Sequence, residues 1–120
     1  MLEQLKNFLA QYIEATIYIG QLPPSPDHAV MLHQYAGRPA TDTLYSMPGI
    51  QITTRGANYT QAETTAYLID QYLSWNNSAA TISGAEWIVD IIPNHDPYSL
   101  GNDDLHRTRF VQNFIAQRKR

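Results

Sequence analysis

The chain has 120 residues, enough for one domain, 1–120, around one hydrophobic core. It carries 8 basic and 11 acidic residues, and this balance argues against a sequence-independent nucleic-acid binder, which needs a concentrated basic surface. There is no cysteine, so neither a disulfide framework nor a thiolate zinc site is expected. The N-terminal segment is amphipathic and no apolar stretch is long enough to span a bilayer, so we expect no signal peptide and no membrane partner.

The first half of the chain predicts one helix and three strands. Apolar residues recur at three- and four-residue spacing over residues 2–15, which is typical of a helix with one buried face. Three prolines in residues 21–27 remove backbone donors and fix φ, so a rigid irregular connector is expected there. A proline- and glycine-punctuated loop is predicted at about 37–47, and loops of this length are often functional. The predicted strands are 16–19, 28–36 and 49–55.

The second half predicts one more helix and three more strands. Thr60 and Glu63 fit a capping box for a helix over residues 60–75, whose buried stripe is Ala62, Ala66, Ile69 and Leu73. Its outward-facing residues are expected to be Glu63, Asp70, Gln71 and Ser74. The strands are predicted at 80–82, 86–92 and 106–117, the first two as a hairpin, with a polar, turn-rich segment at 94–105.

This order of elements indicates an α+β fold. The helices are too few for a strict alternation of strands and helices, so a parallel sheet is not expected. We expect a mainly antiparallel sheet of about five or six strands, with two helices packed on one face.

A metal-dependent enzyme is one alternative that the residues leave open. Its ligands would come from His95, Asp96, Asp103 and His106, because imidazole and carboxylate suit several divalent ions. Their spacing matches no known ligand motif, and loops commonly collect these residue types. No nucleophile motif or nucleotide-binding glycine motif is present, so we expect no enzyme activity, no catalytic residue, no bound metal and no cofactor.

A nucleic-acid-binding module is a further alternative. Its cations would be Arg107, Arg109 and the basic end formed by residues 118–120. A solvated tail is the simpler interpretation of this short charge run.

Three sequence blocks, in order, resemble the minor capsid or tail-terminator family of long-tailed bacteriophages. The first is IGQLPPSPD followed by HAVML, at residues 19–32. The second is GRP at 37–39, then PGIQITTRG and NYTQAETTAYLI up to residue 69. The third is PYSLGNDDLHRTRFVQNFIAQR at 97–118. The resemblance covers nearly the whole chain and depends on the order and spacing of these blocks.

The resemblance implies a non-enzymatic protein of the virion, in its tail or neck, assembled in the host bacterial cytoplasm. Proteins of this family cap the completed tail tube as a ring, usually a hexamer, and provide the surface that joins the head. The implied partners are further copies of the chain, the tail tube protein and a head-completion protein. DNA would pass through the lumen without specific binding. A head-closure or connector protein of the same neck is the alternative within this class.

A ring of identical subunits needs two different surface patches on each copy that fit each other. Long loops and exposed strand edges are suited to such contacts. We therefore predict subunit-interface residues in the loop at about 37–47. They are Arg38, Asp42, Tyr45 and Met47. Arg38 could pair with a carboxylate of the neighbour, and Tyr45 and Met47 could fill a pocket of the neighbour.

Overall fold

The computed structural model describes residues 1–39, 44–75 and 87–119, which form two α-helices and a six-stranded sheet. A π-helical turn, Gln71–Trp75, continues the second helix. In chain order the elements are α1 (Leu2–Leu9), β1 (Thr16–Ile19), β2 (Ala29–Arg38), β3 (Tyr45–Gly56), α2 (Tyr59–Asp70), β4 (Ile88–Pro93), β5 (Tyr98–Asn102) and β6 (Thr108–Lys119).

The strands lie in the order β1-β2-β3-β6-β4, and β5 also pairs with β6. Every pairing is antiparallel except that of β1 with β2. β4 pairs with the C-terminal half of β6 and β5 with its N-terminal half, so the two short strands follow one another along the same edge. The predicted α+β fold with a mainly antiparallel sheet is confirmed.

The core lies between the sheet and both helices. Alternate residues of the long strands β2, β3 and β6 point to this side, because successive side chains of a strand face opposite ways. Each such large side chain contributes about 1.5–3 kcal/mol when it leaves water. The core residues include Leu5 and Leu9 of α1, Val30 and Leu32 of β2, Ile50 and Ile52 of β3, Ile69 of α2, Leu73 of the π-helical turn, and Phe114 and Ala116 of β6.

The first helix is shorter than the predicted 2–15, because α1 ends at Leu9. From Ile13 the buried residues alternate through Ala15 and Ile17, which is the period of a strand. Tyr12 lies in the turn after α1 and stacks on Tyr72, with 4.1 Å between ring centroids. The apolar residues at 12–15 therefore belong to a turn and an approach to β1 rather than to a longer helix.

The capping residues of the second helix are two positions earlier than predicted. Asn58 is the N-cap, and its side chain accepts a 2.9 Å hydrogen bond from the Gln61 backbone N–H. Gln61 in turn accepts from the Ala57 backbone N–H at 2.8 Å. The predicted Thr60–Glu63 box is therefore wrong, because Asn58 and Gln61 satisfy these donors instead.

The predicted buried stripe of the second helix is confirmed, and one predicted outward residue is wrong. Asp70 is buried, and its carboxylate is satisfied there by hydrogen bonds that Gln112 and Ser74 donate at 2.6 and 3.1 Å. The segment predicted as irregular at 94–105 contains β5, all five residues of which are exposed. The predicted strand at 80–82 lies outside the described residues.

Candidate subunit-contact site

The two ends of the predicted contact loop belong to strands. β2 continues to Arg38 and β3 begins at Tyr45, so the loop at about 37–47 is shorter than predicted. Arg38 lies opposite Met47, and Tyr45 lies opposite Lys119 at the end of β6. We call this end of the sheet, formed by residues 37–39, 44–47 and 118–119, the sheet tip. The structure brings three of the four predicted residues together there, and Asp42 lies outside the described residues.

A β-bulge shapes the sheet tip. The pairing of β2 with β3 shifts between Tyr35 and Arg38, opposite Pro48, which has no backbone N–H to donate. Gly37 has φ +72°, and a Cβ there would lie 2.2 Å from the carbonyl oxygen of Met47. Glycine is therefore required at this position, because both the backbone angle and the space exclude a side chain. The proline and glycines that predicted a loop instead form a bend between two paired strands.

Tyr35 covers a second glycine just below the bulge. A Cβ on Gly49 would lie 2.1 Å from Cζ of the Tyr35 ring. The Tyr35 hydroxyl donates to the Phe114 carbonyl at 3.4 Å and accepts from the Asn94 side-chain amide at 3.3 Å. The ring thus packs across β3 and anchors to both β6 and the turn after β4.

Basic groups dominate the described charges of the sheet tip. Arg38 is exposed and donates to the Asn94 side-chain oxygen at 3.3 Å. The guanidinium of Arg118 lies 4.4 Å from the centre of the Trp87 ring, and Lys119 is exposed. Burial and the nearby Arg118 both lower the pKa of the Met1 ammonium group. An acidic partner surface would complement these cations.

The four residues of the metal hypothesis are not arranged as a ligand set. Asp103 binds Arg107 in a 2.8 Å salt bridge. His95 donates from Nδ1 to the Asp96 carbonyl at 2.7 Å, and its Nε2 accepts from the Asn113 side chain at 3.0 Å, which occupies both ring nitrogens. In the described parts of the chain, no three His, Cys, Asp or Glu residues are grouped closely enough to hold a metal ion.

The two arginines of the nucleic-acid hypothesis have different environments. Arg107 is buried and binds Asp103, the Pro24 carbonyl and Asp27. It is therefore not available to a phosphate. Arg109 is half-buried, and its Nε is buried without a hydrogen-bond partner among the described residues.

Two buried arginines hold the proline segment, residues 21–27, against the ends of β3 and β6. Arg55 donates to the carbonyls of Pro23, Pro26 and Asp27 at 2.7, 2.6 and 3.1 Å. Arg107 binds the same segment from β6's side. Sequence reasoning missed this clamp, although the signal was present: carbonyls of a segment that cannot form regular structure need outside donors.

A groove of about 640 Å³ lies between the turn after α1 and the first half of α2. His28 lines it and shares a 2.7 Å hydrogen bond with the Thr65 hydroxyl. Burial lowers the pKa of His28, and the negative charge of Glu14 opposes this only in part. The folded protein therefore favours the neutral ring.

The burial of His28 predicts a stability that depends on pH. Its folded pKa is below the unfolded value of 6.5, so the unfolded state binds the proton first as the pH falls. We expect the midpoint of thermal unfolding to fall as the pH drops from 6.5 towards the folded pKa, and His28→Gln to reduce this fall. Calorimetry of both proteins between pH 7.5 and 5 measures it. Equal slopes for the two proteins would contradict the assignment.

Asp103 does not confound that measurement, because it titrates at lower pH. Burial alone would raise its pKa, but hydrogen bonds from the backbone N–H groups of Arg107 and Leu105, with the Arg107 guanidinium, hold the pKa below its usual value of 3.8. Its contribution to stability is complete above that value and is lost only as the pH falls further.

Comparison with known proteins identifies the family. The sequence matches the bacteriophage tail terminator protein family over residues 5–120. No curated protein matches it. A chain from a solved structure described as the virion of a native gene transfer agent particle has the same fold, with a TM-score of 0.68 at 16% identity. The alignment covers 99% of this chain and 91% of that one.

Within the described residues, no helix is long and apolar enough to cross a membrane. The family match spans almost all of the chain, including every described strand, α2 and α1 from Leu5 onward. The resemblance seen in the sequence blocks is thereby confirmed, and the chain belongs to the bacteriophage tail terminator family of virion structural proteins.

Proposed function

We propose that this protein caps the tail tube of a phage-like particle as a ring and presents the surface to which the head joins. The observation that carries the proposal is the family match over residues 5–120. On this proposal the protein performs no catalysis and assembles in the host cytoplasm. Its partners are further copies of itself, the tail tube protein and a head-completion protein, and DNA passes through the lumen unbound.

The shape of the subunit supports this proposal. Its principal extents are 45, 26 and 23 Å. The strands β3 and β6 have 12 residues each and would extend about 40 Å, a length that only the long dimension accommodates. The sheet tip therefore lies at one end of an elongated subunit, where a neighbouring protein can reach it. Its cations and half-buried Met47 combine charge with apolar surface, as protein interfaces commonly do.

Electron microscopy of particles made without the protein tests the function. Loss of a terminator should give tails of uncontrolled length. Normal tails beside full, unattached heads would instead indicate the head-closure role. Normal, infectious particles would overturn both.

The sheet tip gives a second prediction. We expect Arg38→Glu with Tyr45→Ala to reduce assembly at least about tenfold, because the variant reverses a charge and removes a large contact group. Circular dichroism should show a folded monomer, since Arg38 is exposed and its bond to Asn94 is a surface contact. Incorporation into particles, measured by quantitative immunoblot, is the readout.

A matched control makes the same chemical changes away from the sheet tip. Lys6→Glu with Tyr67→Ala alters a cation of α1 and a tyrosine of α2 that is 45% exposed. We expect this variant to assemble normally. Normal assembly of both double variants would show that the sheet tip makes no contact needed for assembly.

A further inference from the structure

The six-stranded sheet has two short strands on opposite edges. β1 is the outer strand beyond β2, and β5 is an outer strand beyond β6. In the described parts of the chain, no other strand pairs with the outer side of β1 or β5. Both edges can therefore accept a strand from another molecule.

The two edges lie at the same level along the sheet. Tyr18 pairs with Met31, Met31 with Thr53, Thr53 with Val111, and Val111 with Tyr98. This ladder crosses the sheet from β1 to β5 without a step along the strands. Directly paired residues point to the same face, so Tyr18 and Tyr98 share both a level and a face.

The strand directions suit pairing between copies. β1 runs parallel to β2 and β6, whereas β3 and β5 run the opposite way. A ring axis along the strands leaves each strand's direction unchanged from one copy to the next. β5 of one copy then meets β1 of its neighbour antiparallel, the arrangement that pairs most readily.

The shared level of the β1 and β5 edges also favours closure of the ring. A head-to-tail contact gives a ring when the copies are related by pure rotation, and an open filament when each contact adds a rise. Because β1 and β5 occupy the same level, joining them adds no rise along the strands.

Each edge carries exposed apolar or aromatic side chains. Ile19 of β1 is 38% exposed, and Tyr98 and Leu100 of β5 are 49% and 46% exposed. Pairing the edges would cover these groups and form cross-strand aromatic contacts.

Arg109 supplies an independent observation at the same junction. It lies on β6 opposite Gly101 of β5, which has no side chain to cover it, and the Arg109 side chain is only half-buried in the single subunit. Thr16 of β1 lies at the same level at the other edge, because Thr16 pairs with Ala29, Ala29 with Arg55, and Arg55 with Arg109. Thr16 is exposed, and its hydroxyl can accept a hydrogen bond.

We propose that β5 of one copy pairs antiparallel with β1 of the next, so that the sheets join edge to edge around the ring. This inference rests on the proposed ring function and names the second copy as the occupant of both edges. Arg109 donates across the junction to the neighbour's β1 edge.

Engineered cysteines test the junction, because the native chain has none. Tyr18→Cys and Tyr98→Cys would lie opposite each other across it, within the reach of a disulfide. In particles carrying both changes on one chain, oxidation should give a ladder of covalent multimers that ends at the ring number. A mixture of the two single variants should give dimers only.

The control pairs Tyr98→Cys with Tyr67→Cys, since Tyr67 on α2 has a similar exposure of 45%. It should give no ladder. Particles that contain the protein but show no Tyr18–Tyr98 cross-link, or equal cross-linking in the control, would overturn the junction while leaving the ring intact. Particles that assemble normally without the protein would instead overturn the proposed function.

A second variant tests the junction if Tyr18→Cys does not fold. Arg109→Met should weaken self-association roughly tenfold, measured by analytical ultracentrifugation or by incorporation into particles, because it removes a charge-assisted hydrogen bond. Thermal unfolding of the monomer should be unchanged. Unchanged association would overturn the role of Arg109 in the junction.

Discussion

Replacing Phe114 with alanine should lower the free energy of unfolding by about 3–5 kcal/mol, the usual cost of removing a buried aromatic ring. Phe114 is completely buried, opposite Ile50 on β3 and Pro93 on β4. It thus belongs to the strand that joins both halves of the sheet. The free energy of unfolding of a natural domain is about 5–15 kcal/mol, so this one change removes a large share of it. Urea denaturation followed by circular dichroism measures it.

The control for Phe114 keeps most of the apolar volume. Phe114→Leu should cost clearly less than Phe114→Ala, because less cavity remains for the helices and neighbouring strands to fill. Both variants keep the strand's backbone hydrogen bonds. Equal losses would show that the backbone of β6, rather than the packing of this ring, determines the effect.

The sequence predicted the elements whose pattern arises from burial. β6 and the stripe of α2 are examples, since Phe114, Ile69 and Leu73 are buried in one cluster and repeat at the expected spacing. β5 could not be found in this way. All five of its residues are exposed, so no alternation of polar and apolar side chains marks it. It forms because β6 offers an edge beside it.

The extent of the contact loop was wrong for a related reason. Pro48 and Gly49 ordinarily interrupt a strand, and both lie within β3. Pro48 is tolerated at the bulge, and the Tyr35 ring covers Gly49. These compensations come from β2, which is distant in sequence, so local propensity could not reveal them.

The location of the predicted contact residues could be inferred in part from the sequence. Three of its four residues meet at the sheet tip because β2 and β3 are joined there, and that follows from chain order alone. The proposed junction was not predictable from the sequence, since it requires the register of five paired strands. Only the ladder from Tyr18 to Tyr98 shows that the two edges are level.

Replacing Arg55 with methionine should lower the free energy of unfolding by about 3 kcal/mol. Each hydrogen bond from a charged donor contributes about 1.5–3 kcal/mol to stability, and the carbonyl acceptors left unpaired add a further cost. Arg55 is 3% exposed and donates to three carbonyls of the proline segment. Burial, and then the positive charge of Arg107, lower its pKa, so the substitution also relieves some repulsion. The lost hydrogen bonds outweigh that relief, because Asp103 already binds Arg107.

Arg109 provides the control for Arg55, since the two arginines lie directly opposite each other on β3 and β6. Arg109→Met removes the same charge and volume from a residue whose Nε has no partner in the described structure. It should change the free energy of unfolding of the monomer by less than about 0.5 kcal/mol. A similar loss in both variants would attribute the effect of Arg55→Met to charge or side-chain volume at this level of the sheet. A large loss in Arg55→Met alone would attribute it to the carbonyls of the proline segment.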